Sequence, residues 1–319
     1  MESTPLQFHD FSGDYAALSQ LMTASWNQNQ GQGLDYSPEF LRSYLQYPGM
    51  TPALAPVILD NGRPIAFVCA FPRTLRIAGQ TRRFALLTLF TVSPACKGRG
   101  LGVKIWVECL RRAREAGFEG TLHYCVDGNV SNHVITTAAR QAGYTTQPVL
   151  SVPYLMAYIG NQPGDPLPEV DAAQAAAALV DHAERLSSRL PIARLWSPQE
   201  ALWQCRDRFG ALAYFDPASG ALLSGYVVSS TDEARTPCLF LDEVHWAGLA
   251  SEQRGPFLKT FLRSASQRAR LATVPLLGYV DPADLKAAGF RRSPRLLHTY
   301  LTLWTSEAAP VDSLYADVL

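Results

Sequence analysis

From Val92 to Gly102 the chain reads Val-Ser-Pro-Ala-Cys-Lys-Gly-Arg-Gly-Leu-Gly, and its last six residues hold three glycines and two cations. The preceding run Leu86–Val92 has the composition of a buried strand, and Gly100–Ala116 has helical spacing that stops at Gly117. A strand that breaks into such a turn and opens directly into a helix leaves several backbone N–H groups unpaired and pointing one way, with the positive end of the helix dipole behind them. The chemistry on offer is anion binding. A Walker loop would need Ser or Thr after the last glycine, and neither follows here. A dinucleotide fold would place its Gly-x-Gly turn near the start of a βαβ repeat, with an acid about twenty residues further on.

The elements that must hold this turn form an α/β pattern. The first half reads as a strand (residues 6–11), a helix over 14–26, a polar stretch from Asn27 to Gly33 and a short helix from Pro38 to Tyr47. Strands follow at 55–60, 64–77 and 81–92, with Asn61-Gly62 as a hairpin turn between the first two. After the glycine turn and its helix come a strand at 121–126, a helix at 130–141 stopped by Gly143, and a strand at 149–159. Residues 161–170 are dense in turn formers and read as a linker between a first lobe, 1–160, and a second, 171–319. The second lobe repeats the order: helices at 172–186 and 198–209, strands at 211–215, 222–229 and 238–246, a helix at 251–271, a strand at 275–280, a short helix ended by Gly289, and a strand at 296–304. Asp60/Gly62 align with Asp216/Gly220, and Ala142-Gly-Tyr144 with Ala288-Gly-Phe290. A divergent internal duplication explains both matches.

The 319 residues suffice for two ordinary domains, each with its own core. The hydrophobic content of 47% fits a soluble globular protein, and no apolar run approaches the ~18 residues of a membrane span. Twenty-eight basic residues balance twenty-eight acidic ones. That balance excludes a general nucleic-acid binder, so any anion must be held locally. The six cysteines are widely spaced, with no Cys-x-x-Cys and no histidine pair at ligand spacing. They read as reduced, buried thiols, with no metal site expected. The opening residues lack the charged and apolar regions of a secretory leader, so a cytoplasmic protein is expected.

A valine closing a strand, a basic or amide residue five positions on, then x-x-Gly-x-Gly opening a helix resembles the acyl-CoA loop of the GNAT acetyltransferase superfamily. Here those positions are Val92, Lys97, Gly100 and Gly102, with Lys97 standing where the family has Gln or Arg. The family also carries an Asn about eleven residues before the Gly of a Gly-Phe/Tyr pair, matched by Asn132 and Gly143-Tyr144. The resemblance covers about residues 5–160 and implies a pair of GNAT-like mixed-sheet lobes in tandem, the second degenerate. It further implies that acetyl-CoA or another acyl-CoA is the cosubstrate. Backbone amides of Cys96, Lys97, Gly98, Arg99, Gly100, Leu101 and Gly102 would bind its pyrophosphate, with Arg99 and Lys104 as charge partners. The strand ending at Leu89–Val92 would splay from its neighbour at Tyr124–Val126 to admit the pantetheine arm. Backbone N–H groups near Phe90, Thr91 and Val92 would polarise the thioester carbonyl, and Asn132 would bond the amide arm.

Two catalytic groups common in that family are missing. Ala139 stands where the resemblance places a tyrosine that protonates the leaving thiolate, and residues 83–92 contain no acid. Proton transfer therefore falls to other groups or to water. Alternation along 121–126 puts His123 and Cys125 on one face and Tyr124 and Val126 on the other. His123 and Tyr124 are the candidates there, with Asp127 and His133 nearby. Asp35 and Tyr36 lie where family members build the acceptor pocket. The second lobe has no Gly-x-Gly after its equivalent strand, and Pro256 falls in the first turn of the following helix. That strand carries Asp242, Glu243 and His245, read either as edge-strand polarity or as a base lent to the acceptor. Tandem GNAT-like proteins include peptide N-myristoyltransferases, whose own terminal carboxylate is the base; residues 314–319 here read by default as a frayed tail. The resulting expectation is an N-acyltransferase that moves an acetyl or short acyl group to an amine of a small molecule by direct attack, without nucleic-acid or membrane partners. The alternatives are a peptide or protein N-acyltransferase using a groove between lobes, and a non-catalytic acyl-CoA sensor.

Overall fold

The computed structural model describes residues 7–27, 33–129, 131–160, 170–231, 234–305 and 309–318. Two compact units emerge, and they do not follow the division at residue 160. The first comprises Met1–Arg73, Arg82–Val149 and Thr299–Ala309; the second comprises Thr74–Thr81, Leu150–His298 and Pro310–Leu319. Most of the linker expected at 161–170 lies outside the described residues.

In the first unit the order is β1 (Phe8–Asp10), α1 (Tyr15–Asn27), α2 (Pro38–Leu45), β2 (Pro56–Asp60), β3 (Arg63–Ile77), β4 (Gln80–Val92), α3 (Leu101–Glu115), β5 (Gly120–Val126), α4 (Ser131–Gln141) and the start of β6 (Thr146–Tyr158). Asn61 and Gly62 both have positive φ (49° and 78°), so the two-residue turn between β2 and β3 matches the strand twist. The sheet runs β1-β2-β3-β4-β5 and is closed by the end of β12 (Arg291–Leu303). Its α3 presents Leu101, Ile105, Trp106, Cys109, Leu110 and Ala113 at helical spacing. These pack with Ile135, Ala138 and Ala139 of α4 and with Ala66, Val68, Ala70, Ala85 and Leu87 of the sheet. Each large apolar side chain buried this way contributes about 1.5–3 kcal/mol. Phe67 and Phe71 point to the opposite face, where they meet the rings of Phe11, Tyr44 and Tyr47.

The second unit holds the rest of β6, α5 (Ala172–Ser187), β7 (Ile192–Leu195), α6 (Pro198–Leu202), β8 (Ala211–Asp216), β9 (Ala221–Ser229), β10 (Pro237–His245), α7 (Ser251–Ala265), β11 (Leu271–Pro275), α8 (Pro282–Ala287) and the start of β12. Its strands β6-β11-β10-β9-β8 are adjacent in that order. Strand β7, which the sequence did not signal, pairs with Thr74–Ile77. The helix expected to reach Leu271 stops at Ala265, because the Ser266–Ala269 amides turn back onto carbonyls of residues 262–265. The Arg270 amide then bonds to Pro237 and starts β11, four residues before the expected strand. The second helix is α-helical only to Leu202 and continues as a π-helical turn, Trp203–Asp207.

The order α1-α2-β2-β3-β4-α3-β5-α4-β6 recurs as α5-α6-β8-β9-β10-α7-β11-α8-β12. The closing strands are exchanged. Leu271–Pro275 of β11 pairs with Tyr154–Tyr158 of β6, while β5 takes β12 as its neighbour.

Candidate functional site

The glycine turn is built as an open arc. Gly98 (φ 80°) and Gly100 (φ 70°, at the N-cap of α3) occupy the left-handed region, and a Cβ on either would meet nothing within 4 Å. Gly102 is required for a different reason. A Cβ there would lie 3.0 Å from the Phe90 ring and 3.2 Å from Val134, so the small residue lets α3 close onto β4. The amides of Cys96, Lys97 and Arg99 are spent inside the turn, on the carbonyls of Ser93, Pro94 and Cys96. That narrows the expected cradle. Among the described residues, the amides of Gly98, Gly100, Leu101 and Gly102 donate to no carbonyl or side chain, and they converge at the positive end of α3. Lys97, Arg99 and Lys104 are exposed around this arc, while Cys96 and Leu101 are buried beneath it.

Strands β4 and β5 pair in parallel from Phe84/Gly120 to Leu87/His123 and no further, although β4 runs on to Val92 and β5 to Val126. The cause of the divergence is local. Leu89 has φ 55°, a left-handed conformation that costs a leucine about 1–3 kcal/mol. This kink resets the alternation: Ala85 and Leu87 face α3 before it, Phe90 and Val92 after it. No motif announced Leu89; the one trace of it in the sequence is this shift from odd to even apolar positions. The end of β4 is pinned from α1, since Ser25 Oγ donates to the Val92 carbonyl (3.1 Å) and Trp26 Nε1 donates to Thr91 Oγ1 (3.3 Å).

Asn132 sits in the first turn of α4, and its Oδ1 is buried with no hydrogen-bond partner. A buried amide oxygen without a donor is costly unless a ligand supplies one. The amide N–H groups of a pantetheine arm would do so. With the free amides of the turn and the diverging strands, the residues present fit an acyl-CoA.

The titratable candidates of the first unit are placed less favourably. His123 is 1% exposed, stacked on Tyr300 (ring centroids 4.9 Å apart) and edge-on to Trp106 (5.4 Å). Both its ring nitrogens are buried without partners, and burial pushes it down to about 3. Its ring is packed between Trp106 and Tyr300, and burial favours its neutral form. Tyr124 is half-buried on the other face of β5, and Asp127 and His133 are exposed. Tyr36 is buried against Trp26 and Phe40, with its hydroxyl held up by burial, and Asp35 beside it is half-buried. Ala139 lies in the core of α4.

In the second unit, Asp242, Glu243 and His245 are enclosed in a charge network. Asp242 pairs with Arg208 and accepts from Gln204 (3.1 Å). Glu243 Oε2 accepts from the Tyr315 hydroxyl (2.7 Å) and lies 2.7 Å from His245 Nε2. Burial drives this last pair towards neutrality on both sides, Glu243 upward and His245 downward. His245 stacks on His182, whose ring is fixed by the Gly220 carbonyl and by Arg185. The two imidazoles line a cleft of about 870 Å³. Both carboxylates are engaged within the second unit, Asp242 by Arg208 and Gln204 and Glu243 by Tyr315 and His245.

The tail expected to fray is buried. Leu314 donates to the Leu277 carbonyl, Tyr315 bonds by its backbone to Ile192 and Arg194, and Asp317 pairs with Arg194. Strands β10 and β11 part after Phe240/Thr273, as β4 and β5 do, but here the tail lies against both sides of the divergence. The terminal carboxylate of Leu319 lies outside the described residues. Among the described residues, no group of three or more His, Cys, Asp or Glu is arranged to hold a metal, and no helix is long and apolar enough to cross a membrane.

Residues 16–140 match the acetyltransferase (GNAT) family. Among solved structures, N-myristoyltransferase from Saccharomyces cerevisiae with bound myristoyl-CoA and inhibitors aligns with TM-score 0.73 at 13% identity, over 97% of this chain and 82% of that one. The same yeast enzyme with bound myristoyl-CoA aligns at 0.73 and 14%, over 99% and 82%. A GCN5-related N-acetyltransferase from Kribbella flavida aligns at 0.55 and 14%, over 93% and 71%. No curated protein matches the chain by sequence.

Proposed function

From the GNAT domain that residues 16–140 form, we propose that this chain is an acyl-CoA-dependent N-acyltransferase. Its carrier site lies in the first unit, and it moves an acetyl or short acyl group to the primary amine of a small molecule in the cytoplasm. One coincidence carries the reading. The free amides of Gly98, Gly100, Leu101 and Gly102, the parting of β4 and β5 after Leu87/His123, and the orphaned Asn132 Oδ1 all belong to one unit. Acyl-CoA, when bound, supplies the activated thioester. The chain's own residues do the rest. The turn amides and the end of α3 hold the pyrophosphate, Asn132 accepts from the pantetheine amide, and the backbone N–H groups after the Leu89 kink face the thioester carbonyl as an oxyanion site. The second unit holds no such loop after β10, and its own tail lies in the equivalent divergence, so one acyl-CoA is bound per chain.

A peptide acceptor is the second reading, favoured by the N-myristoyltransferase fold. An acyl-CoA sensor is the third, favoured by Ala139 and the acid-free β4. The deciding experiment measures thiol release from acetyl-, octanoyl- and myristoyl-CoA with a panel of small amines and of peptides with free N-termini. Turnover of acetyl-CoA with a small amine supports the first reading. Turnover with peptides alone replaces it by the second, and saturable CoA binding without thiol release replaces both by the third.

A further inference from the structure

The second unit carries a cleft that the proposed function does not use. It is the space of about 870 Å³ bounded by α5, by the turn between β8 and β9, and by the chain leaving β10. Every residue that lines it belongs to that unit. Its hydrogen-bonding capacity is one-sided. The carbonyls along this rim are spent: Gly220 accepts from His182 Nε2 (2.9 Å), Ser219 from the Gly248 amide (3.0 Å) and Trp246 from the Leu249 amide (2.9 Å). Donors are left over. Helical spacing brings His182 and Arg185 to the cleft from α5, and Arg189 follows from the turn after it. Arg185 donates to His182 Nδ1 (2.7 Å), which fixes that ring as a neutral tautomer, and the rest of its fork is exposed. Among the described residues neither Arg185 nor Arg189 forms an ion pair, and Asp181, also exposed, is the one carboxylate in the lining. Trp246 Nε1 is buried with no acceptor. His245 faces Glu243 through Nε2 (2.7 Å). Burial pushes Glu243 up to about 8 and His245 down to about 3, so near neutrality the proton between them sits on Glu243, and His245 keeps its own on Nδ1. That nitrogen has no partner among the described residues.

We infer that this cleft is a binding site for a small organic anion, a carboxylate or phosphate carried on an aromatic body. A wall of unanswered donors is satisfied by a ligand that is all acceptor, and two planar guanidinium forks match the oxygens of either group. The body is set by the remaining lining, where the rings of Phe215, Trp246 and Tyr279 stand with Val244 and Ala178. The volume lies within the range of small-molecule sites, about 300–1,000 Å³. Ala247, in the same wall, is held at φ 43°, a left-handed conformation of the kind that collects at ligand sites. No residue of the first unit lines the cleft, so its occupant is separate from the acyl-CoA of the carrier site.

The test titrates the full chain with phenylacetate, phenyl phosphate and the neutral phenylacetamide by ligand-detected NMR, with and without saturating CoA. At least one of the two anions should bind saturably with Kd under about 20 mM, and phenylacetamide at least about tenfold more weakly. The tighter anion tells carboxylate from phosphate. The double variant Arg185→Gln, Arg189→Gln should lose at least about tenfold in affinity for that anion. Both side chains are exposed, so its melting temperature should stay within about two degrees of the parent. Trp246→Phe keeps the ring, removes the orphaned N–H and should weaken the anion by about threefold without lowering the melting temperature. Saturating CoA and Gly100→Asp should each leave anion binding within about twofold, because they act on the first unit. The inference is overturned if neither anion binds that tightly, if phenylacetamide binds as well as the anions, if the double arginine variant keeps the parent affinity, or if CoA displaces the anion.

Discussion

Gly100 permits a clean separation of shape from charge. Its φ of 70° is open to Asn and Asp, the side chains that tolerate this region best, and an added Cβ meets nothing within 4 Å. Gly100→Asn and Gly100→Asp therefore share the same size, backbone demand and N-cap capacity, and differ by one negative charge. A carboxylate roughly 5 Å from a pyrophosphate charge, at an effective dielectric between about 20 and 80, meets a repulsion of about 1–3 kcal/mol per charge. With two phosphate charges the Asp variant should bind CoA at least 30-fold more weakly than the Asn variant, since each 1.4 kcal/mol is tenfold. Isothermal titration at 50 mM and 500 mM NaCl should show the gap shrinking at high salt as the charges are screened. Gly100→Asn itself should remain within about tenfold of the parent. Equal affinities of the Asn and Asp variants at low salt would mean that no anion sits at the turn, and the carrier site would have to be sought elsewhere.

Asn132→Leu removes an acceptor that is orphaned in the free protein, so its melting temperature should hold or rise while CoA affinity falls by about 1–3 kcal/mol; a drop in stability without a drop in affinity would make Asn132 a structural residue. His123, held down to about 3, is protonated in the unfolded chain but not in the folded one as pH falls below about 6.5. Stability is therefore lost on that descent, by about 2 kcal/mol at pH 5 from this one residue, and His123→Phe should flatten that part of the melting-temperature profile while leaving the thiol-release rate at pH 8 intact. A chain ending at Ser313 strips the buried Leu314 and Tyr315 from the second unit and leaves Arg194, fully buried, without Asp317. The cost expected is at least the 3–5 kcal/mol of a broken buried ion pair, readable in urea titrations, and a tail that is merely surface decoration would cost nothing.

Most of the elements were legible in the sequence, because their limits are set by residues with few conformational choices. Asn61-Gly62 forces a hairpin, Gly117 and Gly143 stop helices, and the 101–113 pattern admits one buried face. The glycine turn was legible for the same reason. What escaped was set by tertiary partners. Strand β7 is four residues that acquire a ladder only from Thr74–Ile77 and the tail. The α7–β11 boundary had no glycine to mark it, and pairing with Pro237 fixed it instead. His123, Asp242, Glu243 and His245 carry reactive groups, but only the fold reveals their surroundings: His123 stacked between rings, Asp242 and Glu243 in a charge network, and His245 beside a cleft.

The exchange of closing strands has a consequence for how the chain is made. When residues 1–160 have emerged from the ribosome, β5 still lacks its neighbour, and its bare backbone is a template for any passing strand. The first unit cannot be completed until residues 299–309 have been synthesised. Halves expressed separately should consequently pair with each other or with themselves rather than fold alone. The same exchange is what a swapped dimer of one ancestral lobe becomes when its two copies are fused into a single polypeptide. One lobe here carries the glycine turn, and in the other residues 314–317 lie against the strands that part.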